Sequence, residues 1–479
     1  MNEPIIVWFR QDLRLADNPA LHAAASEGKI LPIYILDDTN AGTWKMGAAN
    51  RVWTHHSLID LNTQLNGKLC ILKGDAKKLV PQLIKETKAK AIYWNRCYEP
   101  WRISRDKKIK ENLEIECKSF NGSLLWEPWH IKTQADTPYK VFTPYYRKGC
   151  LNHTAPREPL GKPDKIDIYS HQGLSINDLN LLPPKEEGGW GQKMTSYWDI
   201  SEKSGHQRLT DFLEDGLNDY KEGRNIPSQN NVSRLSPYLH HGQISPHQAW
   251  YQSAFIAEHN KIPQKDLDHF HSELGWREFS YHLLYHFPDI THEPLQENFK
   301  DFPWHPDKST LEAWKKGQTG YPIIDAAMRE LWATGYMHGR CRMIVGSFLV
   351  KNMLVHWHEG EQWFWDCLVD ADLANNSASW QWIAGCGADA APYFRVFNPL
   401  LQSKKFDGNG DYIRQWVPEL SKLSDKDIHE PWTLDENTLK KADIVLGNDY
   451  PKPILDLSAT RNRALDAYAT IKKKNNNDE

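Results

Sequence analysis

Tryptophan is the residue type in this chain best suited to redox or stacking chemistry, and its distribution is uneven. Of 21 tryptophans, a group falls within the stretch 276–382, namely Trp276, Trp304, Trp314, Trp332, Trp357, Trp363, Trp365, Trp380 and Trp382. A large helical core would account for this, because tryptophan is highly buried on average. A redox relay or a stacking platform for a planar cofactor and for bases would account for it equally well. Composition alone leaves both interpretations open.

A second candidate is the polar stretch 370–376, which carries Asp370, Asp372, Asn375 and Asn376 between two apolar segments. Burying such groups unpaired is costly, so they should find partners. Arg340 and Arg342 lie on a strongly apolar segment and could form buried ion pairs with the aspartates. A purely structural pairing and a functional site both fit this pattern.

A third candidate is the Ser233-Arg234-Leu235-Ser236 run, preceded by Tyr220 and Arg224. Hydroxyls and free backbone N–H groups ahead of a helix can hold a phosphate. A serine acting as a plain helix N-cap is the alternative interpretation.

Other chemistries lack their usual patterns in the sequence. It contains no Walker loop, no GxGxxG and no Ser/His/Asp order, and its histidine pairs lack the HExxH spacing, so we expect no catalytic metal. The seven cysteines form no CxxC, which favours reduced thiols in a cytosolic protein. With only Cys341, Cys367 and Cys386 in the helical half, we expect no iron–sulfur cluster.

The elements that must position these residues divide the chain into distinct parts. Through residue 130, apolar runs alternate with helical stretches, which is typical of a doubly wound α/β domain with a parallel sheet. The expected strands are 5–9, 30–36, 69–72, 91–94 and 124–126, and the expected helices are 19–26, 47–64, 76–86 and 103–116.

The remainder of the chain, from residue 131 onwards, changes in composition twice. Residues 131–198 are rich in proline and glycine and are predicted to form an interdomain connector. Residues 199–470 are predicted to form an all-α domain, followed by a short tail at 471–479. Its expected helices are 246–258, 266–285, 310–316, 323–334, 340–356 and 362–369.

Net charge and hydropathy indicate whether the protein could bind nucleic acid or a membrane. The 58 basic and 62 acidic residues leave a net charge of −4, which excludes a globally basic nucleic-acid coat protein but permits a local basic groove. No apolar run has the length of a membrane helix, and the start lacks a signal-peptide core. We therefore expect a cytoplasmic protein with no membrane association.

Five segments in order resemble the photolyase and cryptochrome flavoprotein family, and the likeness covers nearly the whole chain. They are 7–18 (VWFRQDLRLADN), 233–239 (SRLSPYL), 273–279 (ELGWREF), 319–329 (TGYPIIDAAMR) and 389–399 (DAAPYFRVFNP). Among the family's branches, the chain is most similar to bacterial cyclobutane pyrimidine dimer photolyases of the class III type. The resemblance implies the same layout: an α/β antenna domain, a connector, and an α-helical domain that binds FAD and DNA.

The resemblance assigns an FAD site. Arg342 and Asp370 would form an ion pair beside the flavin, Asp372 would face the isoalloxazine edge, and Asn376 would face flavin N5, where a neutral amide favours reduced FAD (FADH⁻). Val232 stands where the family usually has threonine, with the loss of one hydroxyl donor. The cofactor-binding residues are Tyr220, Ser233, Arg234, Leu235, Ser236, Phe270, Arg342, Asp370, Asp372 and Asn376.

The resemblance also assigns catalytic and DNA-binding roles. Trp380, Trp357 and Trp304 match the chain that photoreduces the flavin, from the cofactor outwards. Trp276 and Trp382 would hold a flipped dimer, Met343 would contact it, and Glu273 would hydrogen-bond its carbonyl. Arg224, Arg277, Arg340, Lys404 and Lys405 would form the phosphate-binding rim.

One position departs from the dimer-specific pattern, since Gly339 stands where those enzymes usually carry asparagine. For the antenna, we expect methenyltetrahydrofolate, with Glu99 at a strand end, while a deazaflavin stays open. The leading hypothesis is light-driven repair of cyclobutane dimers in UV-damaged DNA by a monomer without an obligate protein partner. A blue-light receptor of the cryptochrome type and a photolyase for (6-4) photoproducts are the alternatives.

Overall fold

A computed structural model describes residues 3–184, 189–305, 307–390 and 394–475. Residues 391–393 of the fifth family-like segment and the last four residues of the predicted tail lie outside these ranges. The chain divides into two compact units. The first comprises Met1–Asn218, Ser233–Pro288 and Val369–Asn375, and the second Asp219–Val232, Asp289–Leu368 and Asn376–Glu479. The boundaries predicted at residues 130, 198 and 470 stay predictions.

The first unit contains a five-stranded parallel sheet with the strand order β3-β2-β1-β4-β5. Alternate residues of β1 pack into two different apolar cores, with Ile5, Val7 and Phe9 on one side and Ile6 and Trp8 on the other. The expected doubly wound α/β domain is thereby confirmed. The strands are β1 Ile5–Phe9, β2 Ile30–Leu36, β3 Cys70–Lys73, β4 Ala91–Asn95 and β5 Glu116–Phe120.

The fifth strand was predicted in the wrong place. Residues 124–126 are buried but not a strand, and the helix expected to reach residue 116 ends at Glu111, which leaves Glu116–Phe120 for the edge strand. The Glu278 carboxylate accepts the amides of Leu125 (2.8 Å) and Trp126 (3.3 Å). These bonds replace the ladder that buried backbone would otherwise need, while β5 itself is half-exposed and therefore less apolar.

The connector contacts the sheet, and six α-helices precede residue 199 in the described part of the chain. The connector pairs with the sheet, because the Tyr169 amide bonds the Ile30 carbonyl and the Leu174 amide bonds the Ile71 carbonyl, each at 2.8 Å. The first bond reaches the start of β2, and the second covers part of β3, an edge strand that would otherwise expose its polar backbone. The helices are α1 Pro19–Glu27, α2 Ala48–Gln64, α3 Ala76–Thr87, α4 Pro100–Glu111, α5 Phe142–Pro144 (continued by a π-helical turn, Tyr145–Cys150) and α6 Trp190–Thr195.

The rest of the described chain is helical, as expected, apart from an isolated bridge between Leu446 and Tyr450. The helices are α7 Glu202–Asp211 (continued by a π-helical turn, Phe212–Gly216), α8 Tyr220–Gly223, α9 Ser236–His241, α10 Pro246–His259, α11 Gln264–His286, α12 Lys308–Lys315, α13 Pro322–Thr334, α14 Gly339–Ser347, α15 Trp357–Cys367, α16 Leu373–Ala384, α17 Pro399–Phe406, α18 Asp411–Trp416, α19 Glu436–Lys441 and α20 Leu457–Asn475. Short 3₁₀ helices span Gly42–Trp44, Ile176–Leu179, Pro288–Thr291, Glu297–Asp301, Pro418–Leu420 and Pro431–Thr433.

The single helix predicted over 340–356 is wrong. Helix α14 ends at Ser347, a π-helical turn covers Phe348–Asn352, and Leu354 adopts a left-handed conformation with φ = 56° that ends the run. His356 then caps α15 by accepting the His358 amide at 3.2 Å. An apolar pattern could not reveal this break, because both sides of it are buried.

The family-like segment 319–329 has a structural role. The buried Asp325 carboxylate accepts the Thr319 amide and hydroxyl at 2.7 Å each, the Gly320 amide at 3.0 Å and the Tyr450 hydroxyl at 2.6 Å. Burial raises the pKa of Asp325 despite these hydrogen bonds. The network holds the turn that begins α13. No helix in the described ranges combines the length and apolarity needed to cross a bilayer.

Candidate cofactor and DNA site

In the first unit, the segment 233–236 leads directly into α9. Arg234 adopts a left-handed conformation with φ = 51°, and Arg208 holds the loop by donating its Nε to the Ser233 carbonyl at 3.0 Å. The N-cap of α9 is Leu235, which has no side-chain capping bond. The alternative interpretation of a serine N-cap is therefore wrong. The hydroxyls of Ser233 and Ser236 lie outside the capping position.

Asp372 is the centre of a buried hydrogen-bond network in the same unit. Its carboxylate accepts the Tyr281 hydroxyl, the Asn375 amide at 2.9 Å and the Asn375 side chain at 2.7 Å, and the His240 Nδ1 lies 3.6 Å away. Burial alone would raise the pKa of Asp372, but His240, Tyr281 and the Asn375 amide lower it to about 2. Asp372 is consequently an anion at neutral pH.

Sequence reasoning missed His240 and Tyr281 as partners of Asp372. The His240-His241 doublet suggests only a metal ligand when it is taken by itself, and Tyr281 is one of many aromatics on α11. The spacing of four residues places Tyr281 on the same helix face as Arg277, but it gives no link to Asp372. The Arg277 guanidinium lies over the Tyr281 ring at 5.0 Å.

Helix α11 carries most of the other predicted residues of this unit. Phe270 is buried against Phe212, with ring centroids 5.0 Å apart. Glu273 and His269, one turn apart, are partly exposed and approach to 3.8 Å. Trp276 stacks on Phe142, with centroids 3.8 Å apart and an interplanar angle of 11°. Stacking on one face fixes the plane of the indole.

Arg277 differs from what a phosphate-binding rim requires. Its side chain is only 12% exposed, and its Nη1 donates to Glu278 at 2.9 Å. Burial raises the pKa of Glu278 to about 7, although Arg277 and two backbone amides act in the opposite direction. The Arg277 guanidinium therefore pairs with Glu278, and its low exposure argues against the predicted contact with DNA phosphate.

At the carboxyl ends of the strands, side chains pair with one another. Arg10 binds Asp106 and the Asn95 carbonyl, while Arg105 bridges Asp106 (2.8 Å) and Asp37 (3.3 Å). Nearby, buried Glu99 accepts a bond from Gln11 at 3.0 Å and pairs with Arg102 at 3.2 Å through one oxygen. Its second oxygen, Oε2, is buried and has no partner among the described residues.

In the second unit, the three tryptophans of the predicted relay differ in burial. Trp357 and Trp380 are 1% and 3% exposed, whereas Trp304 is half-buried. His356 lies between two of them, 5.0 Å from Trp304 and 5.5 Å from Trp357 by ring centroids. Trp380 packs on α15 at Gly360, where an added Cβ would approach its ring to 2.1 Å. Gly360 is one helical turn after Trp357.

Asn376 is held in one orientation by α15. Its amide nitrogen donates to the Glu361 carbonyl at 2.9 Å, which leaves its Oδ1 as an acceptor that no described residue uses. Glu361 is fully buried, and its carboxyl accepts the Ser377 hydroxyl at 2.5 Å. Burial raises the pKa of Glu361 to about 8. An acceptor at Asn376 is the group needed to bind the N–H of a reduced flavin, so the residue fits the predicted cofactor.

Basic side chains meet in a groove of about 550 Å³ between α17 and the start of α20. Among the described residues that line it there is no carboxylate. The lining residues are Arg340, Met343, Asn352, Arg395, Val396, Phe397, Asn398, Leu401, Gln402, Lys405, Phe406, Leu457 and Arg461. The structure thus brings Arg340, Met343 and Lys405 together and adds Arg395 and Arg461, which sequence reasoning missed.

Other predicted DNA contacts of this unit lie outside that groove. Lys404 pairs with Glu430 at 2.5 Å, which offsets its charge. Arg224 lies over the Tyr220 ring at 5.7 Å, and the Trp382 indole donates to the Asp389 carbonyl at 3.1 Å. At Gly339, an added Cβ would meet nothing within 4 Å.

The remaining pair, Arg342 and Asp370, is divided between the units. Arg342 donates its Nε to the Met337 carbonyl at 2.8 Å, and Asp370 is buried. Their ion pair stays a prediction.

Comparison with known proteins places this fold and site in one class. The family described as DNA photolyase matches residues 5–164, and the FAD binding domain of DNA photolyase matches residues 270–470. The chain belongs to the photolyase and cryptochrome family and contains its FAD-binding domain.

Individual relatives agree with this assignment. A deoxyribodipyrimidine photo-lyase from Agrobacterium fabrum is 44% identical over 98% of both chains. The crystal structure of a bacterial class III photolyase from Agrobacterium tumefaciens superposes with a TM-score of 0.94 at 43% identity, covering 99% of this chain and 98% of that one. Cryptochrome-1 of Arabidopsis thaliana is 35% identical over 97% of this chain and 70% of its own length.

Proposed function

We propose that this protein is a light-driven DNA repair enzyme, a deoxyribodipyrimidine photo-lyase that acts on cyclobutane pyrimidine dimers. The observation that carries the proposal is the fixed amide of Asn376, whose Oδ1 accepts no bond from the described residues. An acceptor at this position suits a flavin that is held reduced. When bound, reduced FAD absorbs light and supplies the electron that splits the dimer.

The protein's own residues bind and orient the reactants. The loop 233–236 would hold the FAD phosphates through its hydroxyls and amides. The Asp372 anion, kept in place by Tyr281, His240 and Asn375, would accept hydrogen bonds from the isoalloxazine edge. Because its pKa is about 2, Asp372 keeps that role throughout the neutral range.

For the DNA, we propose that Trp276, Trp382 and Met343 contact the flipped dimer and that Glu273 hydrogen-bonds its carbonyl. The stack of Trp276 on Phe142 leaves one indole face for a base. The basic groove at Arg340, Arg395, Lys405 and Arg461 offers positive charge to the phosphate backbone. This local charge suits DNA binding by a chain of net charge −4.

We propose methenyltetrahydrofolate as the antenna, with a deazaflavin as the alternative. The support is Glu99 Oε2, a buried acceptor without a partner among the described residues, which could bind a ring that carries N–H donors. Chromophore extraction followed by absorption spectroscopy distinguishes the two, because a folate and a deazaflavin absorb at different wavelengths.

The alternatives to dimer repair are a blue-light receptor and repair of (6-4) photoproducts. A cryptochrome-type receptor is supported by the 35% identity with Cryptochrome-1, but the chain keeps both lesion-site tryptophans and Asn376. Repair of (6-4) photoproducts is kept as a possibility by Gly339, which departs from the dimer-specific pattern.

The test is repair of a dimer-containing oligonucleotide by the purified, FAD-loaded and reduced protein under near-UV and blue light. A dark sample and a (6-4) oligonucleotide are run in parallel. We expect light-dependent loss of the dimer alone. Loss of the (6-4) product would change the substrate assignment, and a photoreducible flavin without any repair would favour the receptor.

A further inference from the structure

Lys351 is a buried lysine close to the basic groove. It lies on the π-helical turn Phe348–Asn352 and is 4% exposed. Its Nζ donates to the Arg395 carbonyl at 2.6 Å and lies 4.3 Å from the centroid of the Phe394 ring. A buried ammonium normally has a carboxylate partner, but the described residues that line the adjacent cavity include none.

The groups around Lys351 both lower and raise the pKa of its ammonium. The adjacent cavity of about 60 Å³ is lined by Gln296, Lys351, Trp382, Ile383, Gly385, Phe394, Arg395, Phe397 and Tyr468. Burial lowers the pKa of Lys351 to about 7, and the charge of Arg395 acts the same way, while Cys386 acts against it. From α20, Tyr468 faces the cavity, and Arg463 donates to the Asn352 carbonyl at 2.7 Å.

The segment that Lys351 contacts, residues 394–398, has no regular secondary structure. Two hydrogen bonds attach its backbone to the preceding helical run: Lys351 to the Arg395 carbonyl, and the Phe397 amide to the Ser347 hydroxyl at 3.2 Å. The same segment supplies Arg395, Val396, Phe397 and Asn398 to the basic groove. A change in the charge of Lys351 is therefore expected to affect the position of segment 394–398, which forms one wall of that groove.

We propose that Lys351 is a positioning residue for DNA, whose protonated side chain fixes the segment 394–398 so that Arg395 is presented to the phosphate backbone. The proposal rests on the DNA-binding function proposed above. A charged donor forms a stronger hydrogen bond than a neutral one, and only the ammonium is attracted to the Phe394 ring. Deprotonation of Lys351 weakens both contacts, and DNA affinity falls with it.

The experiment measures the affinity of the FAD-loaded protein for a dimer-containing oligonucleotide in the dark, by fluorescence anisotropy at constant ionic strength. The variants are Lys351→Arg, which stays charged, and Lys351→Met, which is never charged. The adjacent cavity provides room for the larger guanidinium. Lys440→Met, on exposed α19, controls for the loss of one positive charge.

We expect wild-type affinity to fall about fivefold between pH 6 and pH 8.5, the difference between a charged and a neutral hydrogen bond. Lys351→Arg keeps the higher affinity at every pH, Lys351→Met keeps the lower, and Lys440→Met follows the wild type. By linkage, the wild type also takes up protons when it binds DNA near pH 7.5, which calorimetry in two buffers measures without any variant.

The other possible results separate a failure of the Lys351 proposal from a failure of the proposed function. A wild-type affinity that is independent of pH, or a Lys351→Arg variant that titrates like the wild type, overturns the role of Lys351 and leaves DNA repair untouched. Failure of the wild type to bind dimer DNA at pH 6 overturns the proposed function and this inference together. FAD content, measured from flavin absorbance, verifies that each variant is folded.

Discussion

The packing of Trp380 against Gly360 predicts that Gly360→Ala displaces the innermost tryptophan of the proposed relay. A Cβ at this position would lie 2.1 Å from Cη2 of the indole, 2.5 Å from Cζ3 and 2.6 Å from Cζ2. Carbon atoms in contact are about 3.5 Å apart or more, so the ring or the helix must move by about 1.4 Å.

Trp380 has little room for such a movement. Its ring packs against Phe364 at 5.0 Å and Trp314 at 6.4 Å by centroids, and it is 3% exposed. Overpacking of this kind costs about 1–3 kcal/mol, while replacing glycine by alanine inside a helix returns up to about 1 kcal/mol. We therefore expect a net loss of about 0–3 kcal/mol in the free energy of unfolding, together with slower photoreduction of the bound flavin.

Two assays and one control test this prediction. Urea unfolding gives the stability, and the rate at which blue light reduces the oxidised flavin reports on the relay. Gly339→Ala is the control for stability, because its Cβ meets nothing within 4 Å. If Gly360→Ala photoreduces its flavin as fast as the wild type, the substitution does not displace Trp380 from the relay and the prediction is wrong.

Four further outcomes are expected. Gly339→Asn should fold with unchanged stability because the space is open, and repair assays with both lesions will show whether asparagine sharpens preference for the dimer. Glu361→Gln should flatten the pH dependence of urea unfolding. The buried Glu361 carboxyl, with a pKa of about 8, holds a proton that the unfolded chain releases. The free energy of unfolding of the wild type therefore falls as pH rises from about 4.5 to 8, by at most about 1.4 kcal/mol per pH unit. Glu273→Ala should reduce dimer repair about tenfold, the effect of losing one hydrogen bond to a charged group, ~1.4 kcal/mol, while flavin absorbance stays intact; unchanged repair would remove the assigned role. Trp304→Phe should slow photoreduction of the oxidised flavin, and a failure of chemically reduced protein to repair dimers would contradict the relay.

Local pattern predicted the sheet wherever a strand is buried on both faces. The run Ile5–Phe9 is apolar at every position because alternate side chains enter different cores, and a short uninterrupted apolar run is typical of a strand in a parallel sheet. The edge strand Glu116–Phe120 has a solvated side, so its composition resembles that of the surrounding loops. Residues 124–126 looked like a strand because they are buried, but a distant carboxylate, Glu278, satisfies their amides.

The site was predicted less completely, for a related reason. The resemblance to a family identifies positions, whereas hydrogen-bond partners depend on contacts between distant parts of the chain. Nothing in the sequence joins Tyr281 or His240 to Asp372, although the fold places all three in one buried network. Arg461 is likewise separated from Arg340 by more than a hundred residues, and only the packing of α20 brings it to the same groove.

The residues that the family resemblance identifies therefore include two kinds that sequence comparison cannot separate. Asp325 and Glu278 are buried carboxylates whose hydrogen bonds come from the protein's own amides, hydroxyls and, for Glu278, the Arg277 guanidinium, which indicates a structural role. Asn376 is also buried, but the Glu361 carbonyl uses only its nitrogen and leaves Oδ1 for a ligand. For Asn376, the oxygen that is left without a protein partner supports its assignment as a binding group. In the α/β domain, Glu99 is one of the buried residues with an atom, Oε2, that has no partner among the described residues, so it is one position at which a ligand should be sought.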